Sequence, residues 1–297
     1  MPRFSILTPC LNRKPFLERA IRSALSQGGD DWEHIVADGG STDGSVELLV
    51  SFRHLQVLSG PDRNLYDALN KALSSARGEW VVFLNTDDIL LPGALAALRA
   101  AADAHPDADS ICGRATFEME DSAGHAATVH LKDRQFVEAT IGIPAINARI
   151  FKRKILNELS GFDCTYALAA DRDLLIRFLQ AGHETVTIDR PIYRYCIHSG
   201  SLTLNPNAER RLDIAREHRR LARTWLHRDD TPPELRNAVR QWHAWETGVA
   251  SQLMIRTGQL RASAQLLVQG FSEQPTWPLV LAGMALRRIK TGSHIPE

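Results

Sequence analysis

Trp80-Val81-Val82-Phe83-Leu84 carries no charged side chain and stops abruptly at Asn85-Thr86-Asp87-Asp88. So short and continuous an apolar run fits a strand buried on both faces, which requires a sheet covered by helices. The surrounding sequence supplies them. Phe16, Leu17, Ala20, Ile21, Ala24 and Leu25 form one apolar stripe after Pro15, and Gly28-Gly29 ends that helix. Leu65, Ala68, Leu69, Ala72, Leu73 and Ala76 give a second stripe, closed by Gly78. Strands are predicted over Phe4 to Thr8, His34 to Ala37, Gln56 to Ser59, Ser110 to Phe117 and Thr185 to Ile188. Further helices are predicted over about 45–52, from Pro92 through Ala104, and over Ala169 to Gln180; Glu118 to Thr128 reads as an exposed hairpin or loop around Gly124. This alternation predicts an α/β domain with a mainly parallel sheet over residues 1–204.

Strand signals vanish after Asn205. Amphipathic helices follow at roughly 207–228, 233–257, 259–271 and 277–290, so residues 205–297 read as an all-helical C-terminal extension. Charge divides at the same place. Residues 1–204 hold 21 basic and 26 acidic side chains (−5), and residues 205–297 hold 14 and 9 (+5), which sum to zero. A neutral chain argues against a dedicated nucleic-acid binder. Cys10, Cys112, Cys164 and Cys196 are too scattered for a disulfide framework or structural zinc, which points to a reducing cytoplasm. No secretory signal opens the sequence and no apolar run reaches the ~20 residues that span a bilayer, so a soluble or peripheral protein is expected. On the first helix of the extension Arg210, Arg211, Arg216, Arg219, Arg220 and Arg223 crowd the side away from Leu212, Ala215, Ala222, Trp225 and Leu226. That pattern predicts packing plus a solvated basic face, with docking to an anionic membrane or a homodimer through the tryptophan-rich helices as further uses.

Ligands of parallel α/β sheets gather at the carboxyl ends of strands. Three polar clusters occupy such ends: Thr8-Pro9-Cys10-Leu11-Asn12, Asp38 to Gly44, and Asn85 to Asp88. Each alone could be turn chemistry. Two adjacent carboxylates closing a buried strand, Asp87 and Asp88, suit Mg²⁺ or Mn²⁺ when phosphate oxygens complete the shell; the plainer role is an N-cap by Asp88 for the helix near Pro92. Asp38 can accept a hydrogen bond from a base, and Arg63 can meet a phosphate or sugar. Asp67, Asn70 and Lys71 share one helix face, ordinarily a solvated face with an i,i+4 ion pair. Asp171 is a cap or a general base, and Asp173, two residues on, faces elsewhere. His198 lies in a Gly/Ser-containing loop, either merely exposed or a metal or diphosphate ligand.

Taken in order, Ile6-Leu7-Thr8-Pro9-Cys10-Leu11-Asn12-Arg13, the segment His34 to Ser45, the segment Gly60 to Ala72, the segment Gly78 to Asp88, and Gly161-Phe162-Asp163 with Ala170-Asp171-Arg172-Asp173-Leu174 resemble family 2 glycosyltransferases, over Ser5 to about Ser201. The second and third blocks look most like the branch that builds bacterial exopolysaccharide and O-antigen repeats. The resemblance implies the GT-A fold, a Rossmann-like mixed sheet flanked by helices, and an inverting enzyme using a nucleotide-diphosphate sugar, UDP-sugar by preference. It implies that Thr8, Pro9, Asn12, Asp38, Arg63 and Asp87 bind the nucleotide, and that Asp87, Asp88 and His198 hold a divalent cation, Mn²⁺ or Mg²⁺. Asp171 matches the catalytic base, and the acceptor would be a saccharide or lipid-linked saccharide. Three positions depart from the pattern: Asn85 opens the acidic motif, Gly39 follows Asp38, and Ile143 to Ala148 replaces a His-Gln pair. A non-catalytic nucleotide-sugar-binding scaffold is the competing reading. The sequence speaks against a dehydrogenase or P-loop enzyme, because neither glycine fingerprint follows the first strand.

Overall fold

Strand β1 (Phe4–Cys10) is buried along its whole length. It pairs in parallel with β2 (Trp32–Asp38) and β4 (Trp80–Phe83), and β3 (Leu55–Ser59) extends the parallel sheet beyond β2. The register sets Cys10 opposite Asp38 and Asp38 opposite Ser59, so the loops after three strands leave from one edge. This arrangement belongs to a computed structural model that describes residues 1–120, 126–130, 146–198, 207–280 and 282.

Beyond β4 the sheet becomes mixed. Among the described residues it has nine strands in the order β3-β2-β1-β4-β8-β6-β9-β5, with β7 (Ala126–His130) paired to β6 (Ser110–Glu120). Strand β8 (Arg149–Lys152) runs antiparallel to β4 and β6, β9 (Thr185–Ile197) runs parallel to β6, and the two-residue β5 (Ile89–Leu90) runs antiparallel to β9. The expected mainly parallel sheet is therefore corrected: half of the strand pairings are antiparallel. The hairpin expected around Gly124 is formed by β6 and β7, while Gly124 itself lies outside the described residues.

The last strand is also longer than the sequence indicates, reaching Ile197 rather than Ile188. Asp189-Arg190-Pro191 reads as a break because proline cannot donate to a ladder. Here Pro191 faces Arg114 where the β6–β9 register shifts on both sides, so the irregularity accommodates it.

Helices α1 (Lys14–Leu25), α2 (Ser45–Val50), α3 (Leu65–Ser75), α4 (Ala94–Ala104) and α6 (Ala170–Gln180) follow the apolar stripes; the short α5 (Arg153–Glu158) had no readable period. Leu17 and Ile21 of α1 and Leu49 of α2 pack on Cys10 and Val36 of the sheet. The N-cap of α4 is Gly93, in the left-handed conformation with φ 75°, so Asp88 does not cap that helix.

The chain divides into two compact units, the first within residues 1–201 and the second dominated by residues after 202. The second contains α7 (Ala208–Leu226), α8 (Pro233–Arg256) and α9 (Leu260–Glu273); most of the helix expected at 277–290 lies outside the described residues. Its core gathers Leu212, Ala215, Ala250, Met254 and Leu266. The solvated basic face expected on α7 is present in Arg216, Arg220 and Arg223, which are exposed with a carboxylate beside each, while Arg219 is buried. Arg219 and Arg223 both pair with Glu273, at 2.7 and 3.0 Å, and Arg216 and Arg220 lie beside Asp213 and Glu217. Arg219 is drawn in far enough that burial lowers its guanidinium pKa. Among the described residues, no helix is long and apolar enough to cross a membrane.

Gly78 precedes β4 and donates its N–H to Ser5 Oγ at 2.8 Å. A Cβ there would stand 2.6 Å from the backbone of Phe4 and Ser5. Gly78→Ala is expected to lower unfolding free energy by about 1–3 kcal/mol in urea melts, the usual cost of overpacking. An unchanged midpoint would show that β1 yields.

Candidate active site

The loop after β2 is built around Asp38. Its Oδ2 accepts the N–H groups of Gly40 and Ser41 at 3.0 and 2.9 Å, and Oδ1 accepts the Ser41 hydroxyl at 2.5 Å. With the side chain almost wholly buried, the carboxylate shapes the loop first and keeps only residual acceptor capacity. Asn12, in the left-handed region at φ 53°, ties the β1 loop to it: its N–H donates to Ser41 Oγ, and its Oδ1 accepts from Thr42 N. Pro9 is buried, and the Thr8 hydroxyl bonds His34 Nε2 at 2.9 Å. Burial pushes His34 down to about 3, so its imidazole is neutral. Burial pushes the neighbouring Cys10 thiol up to about 11, which makes it a neutral wall rather than a nucleophile.

The acidic motif splits into two roles. Asp88 turns inward, where its Oδ2 accepts the Tyr193 hydroxyl at 2.7 Å and Asn85 Nδ2 at 3.1 Å, and Oδ1 accepts Cys196 N at 2.9 Å. Burial, and then the charge of Asp87, push its carboxyl up to about 7. Tyr193 is fully buried and also accepts from Asn85 N and Asn147 Nδ2. Asp87 faces the other way. Its Oδ2 lies 3.2 Å from His198 Nε2, and both side chains are 17% exposed. The Phe16 ring of α1 stacks on the His198 imidazole with centroids 4.3 Å apart, and Arg19, one turn on, donates to the Asp87 carbonyl at 3.1 Å. The structure thus brings Asp87 and His198 together and directs Asp88 into β9.

Asp171 stands in the first turn of α6, whose N-cap is Ala169; the side chain is half-buried, and Oδ1 accepts the N–H of Arg172 at 2.8 Å. Its charge and that of Asp88 reach the Tyr195 phenol, whose pKa is raised chiefly by burial. Asp173 is buried and pairs with Arg177, which in turn donates to the carbonyls of Leu159 and Gly161. Arg63 is exposed and paired with Asp67 at 2.7 Å. The solvated face expected for Asp67, Asn70 and Lys71 is corrected. Asn70 grips the backbone of Phe162 through both amide atoms, at 2.8 and 2.9 Å, and Lys71 pairs with Asp62.

Residues 5–177 match the model of glycosyl transferase family 2. The chain belongs to that family. It is similar to a PGL/p-HBAD biosynthesis glycosyltransferase of Mycobacterium tuberculosis, 29% identical over 59% of this chain and 69% of the relative. It also resembles the GalNAc(5)-diNAcBac-PP-undecaprenol beta-1,3-glucosyltransferase of Campylobacter jejuni, 35% identical over 35% of each chain. Among solved structures it is similar to S. aureus TarS in complex with UDP-GlcNAc, with a TM-score of 0.60 and 19% identity over 95% of this chain and 80% of that one. The mannosyltransferase PcManGT from Pyrobaculum calidifontis, in complex with GDP-Man and Mn²⁺, gives a TM-score of 0.63 and 19% identity over 97% and 87%. The fold is GT-A, and the protein is a glycosyltransferase.

Several residues that hold this glycosyltransferase site were not singled out from sequence. Tyr193, Phe16, Arg19, Asn64 and Asn147 look like ordinary strand, helix and cap residues until the chain folds. Tyr193-Arg194-Tyr195 offered one signal, since its two-residue period aims both phenols to one face.

Tyr193→Phe removes a donor from a buried carboxylate and is expected to cost about 1–3 kcal/mol in urea unfolding. A loss below measurement error would show that Asp88 finds another donor. His34 is neutral when folded and titrates near 6.5 when unfolded, so the stability it contributes is lost as pH falls from about 6.5 toward 3. His34→Gln should flatten the stability–pH curve over that range by up to about 1.4 kcal/mol per pH unit; parallel curves for the two proteins would refute it.

Proposed function

We propose that this glycosyltransferase moves a sugar from a nucleotide-diphosphate donor, a UDP-sugar, to a hydroxyl of a saccharide or lipid-linked saccharide in polysaccharide biosynthesis, with inversion in one displacement. The observation that carries the reading is the Asp87–His198 pair, one carboxylate and one imidazole at the strand ends. One oxygen and one nitrogen donor suit Mn²⁺ or Mg²⁺ whose remaining positions are filled by diphosphate oxygens. The cation, when bound, offsets charge gathering on the leaving diphosphate. Asp88 is assigned the positioning of this loop rather than ligation, because protein donors occupy both of its oxygens.

The remaining steps belong to the chain. Thr8, Pro9, Asn12 and the Asp38 loop form the wall that receives the nucleotide, and Arg63 reaches its phosphate side from the start of α3. Asp171 accepts the proton of the acceptor hydroxyl as that oxygen bonds to the anomeric carbon from the face opposite the nucleotide. The bond to the diphosphate breaks, and the nucleoside diphosphate departs. The UDP-GlcNAc bound by TarS supports the donor class, and the undecaprenol-linked acceptor in the name of the C. jejuni relative supports a lipid-linked acceptor. Such an acceptor would bring the enzyme to the inner face of the cytoplasmic membrane, with residues 1–204 as catalytic domain and 205–297 as a separate helical extension.

Asp171→Asn is expected to lower kcat by about 10²–10⁴-fold, the typical contribution of a general base. Calorimetric binding of UDP with Mn²⁺ should persist in that variant and weaken in His198→Ala. Undiminished turnover of Asp171→Asn would remove it as the base.

A further inference from the structure

Helix α9 uses only part of its apolar surface within its own unit. Ser263, Leu266 and Gly270 face inward, Ser263 bonding Ser251 at 2.9 Å and Gly270 lying against Thr247 of α8. On another side Leu260, Ala264, Val268 and Phe271, spaced i, i+4, i+8 and i+11, fall within one quarter of the helix circumference. Leu260 is 64% exposed, Val268 71% and Phe271 53%. Ile255, at the end of α8, and Leu279, beyond α9, add 53% and 75% exposed side chains to the same unit. Scattered exposed leucines are ordinary, but a helical stripe of them is not.

The charge around the stripe says what covers it. From Thr247 to Val280 the sequence has one acidic residue, Glu273, against Arg256 and Arg261. Glu273 is taken internally by Arg219, Arg223 and His243, whereas Arg256 and Arg261 are exposed at the N-terminal end of the stripe. A second copy meeting through α9 would offer Arg256 and Arg261 no uncommitted carboxylate from that helix, since its one acidic residue, Glu273, is already engaged. An anionic lipid surface meets both demands, taking the apolar side chains at the acyl boundary and the guanidinium groups at the phosphates.

We propose that the α9 face of Leu260, Ala264, Val268 and Phe271, rimmed by Arg256 and Arg261, is a docking surface for anionic phospholipid bilayers. At 14 residues the helix is about 21 Å long and lies in the interface rather than crossing it. On α7, by contrast, Arg216, Arg219, Arg220 and Arg223 each stand beside a carboxylate, which leaves α9 as the membrane-facing element of the proposal. It does not rest on the sugar-transfer reading, since binding is measured without substrate.

The test is flotation of the full chain with vesicles of phosphatidylcholine alone or with 30% phosphatidylglycerol, beside sedimentation velocity without lipid. Wild type is expected to float with the anionic vesicles only. Val268→Glu/Phe271→Glu should reduce the bound fraction by about tenfold or more with an unchanged far-UV spectrum. Arg256→Gln/Arg261→Gln should reduce it by about fivefold per arginine, with binding falling as salt rises. Failure of wild type to float, or equal flotation of the Glu variant, overturns the proposal. So does a wild-type dimer dissolved by the Glu substitutions, which would assign the face to a second copy.

Discussion

The carboxylate of Asp88 is buried between strands β4 and β9 and takes three hydrogen bonds, from Tyr193, Asn85 and the backbone of Cys196. Removing a carboxylate from water is costly unless its lone pairs are satisfied. That demand ties the loop after β4 to the last strand of the sheet. The two-residue β5 pairing repeats the tie in backbone form, setting Ile89 opposite Arg194 and Leu90 opposite Tyr193. Once these contacts exist, Asp87 faces outward beside the end of β9, and His198, one residue past that end, meets it. The outward carboxylate can serve chemistry because its neighbour is spent on architecture.

Helix α1 braces the same edge from the other side. The N–H groups of Arg13 and Lys14 at its start are received by Ser45 and Asp43 in the loop after β2, and Asn12 joins that loop to β1. Within the next turn and a half, Phe16 supports His198 and Arg19 holds the Asp87 carbonyl. A single helix thus contacts both the loop assigned to the nucleotide and the pair assigned to the cation. A third brace runs from α3, where Asn64 and Asn70 grip the loop at Phe162 and Cys164, upstream of Asp171. Fixing each reactive group from packed elements is what catalysis by positioning requires.

The helical unit shows how a count of charges can mislead. Its basic excess is real, but a half-buried Glu273 pairs with Arg219 and Arg223, and salt bridges at three-residue spacing join Arg216 and Arg220 to their neighbours. Of that pattern only Arg219 is buried, while Arg216, Arg220 and Arg223 stay exposed with a carboxylate beside each. The unpartnered surface lies instead on α9, where few charges stand and none exposed is acidic.

The alternation of strands and helices from Phe4 to Ala104 is legible in the residues alone, because apolar period and the punctuation of Gly and Pro are local signals. So is the family, since the ordered blocks around Asp38, Asp87 and Asp171 survive as linear motifs. Tertiary structure alone decided the mixed half of the sheet: β5 has two residues and β8 four, too short for any period. It decided the length of β9, because a proline that ends a regular strand is tolerated at a register shift. And it decided which of two adjacent aspartates faces inward, since identical side chains in sequence are distinguished only by the donors that folding brings to them.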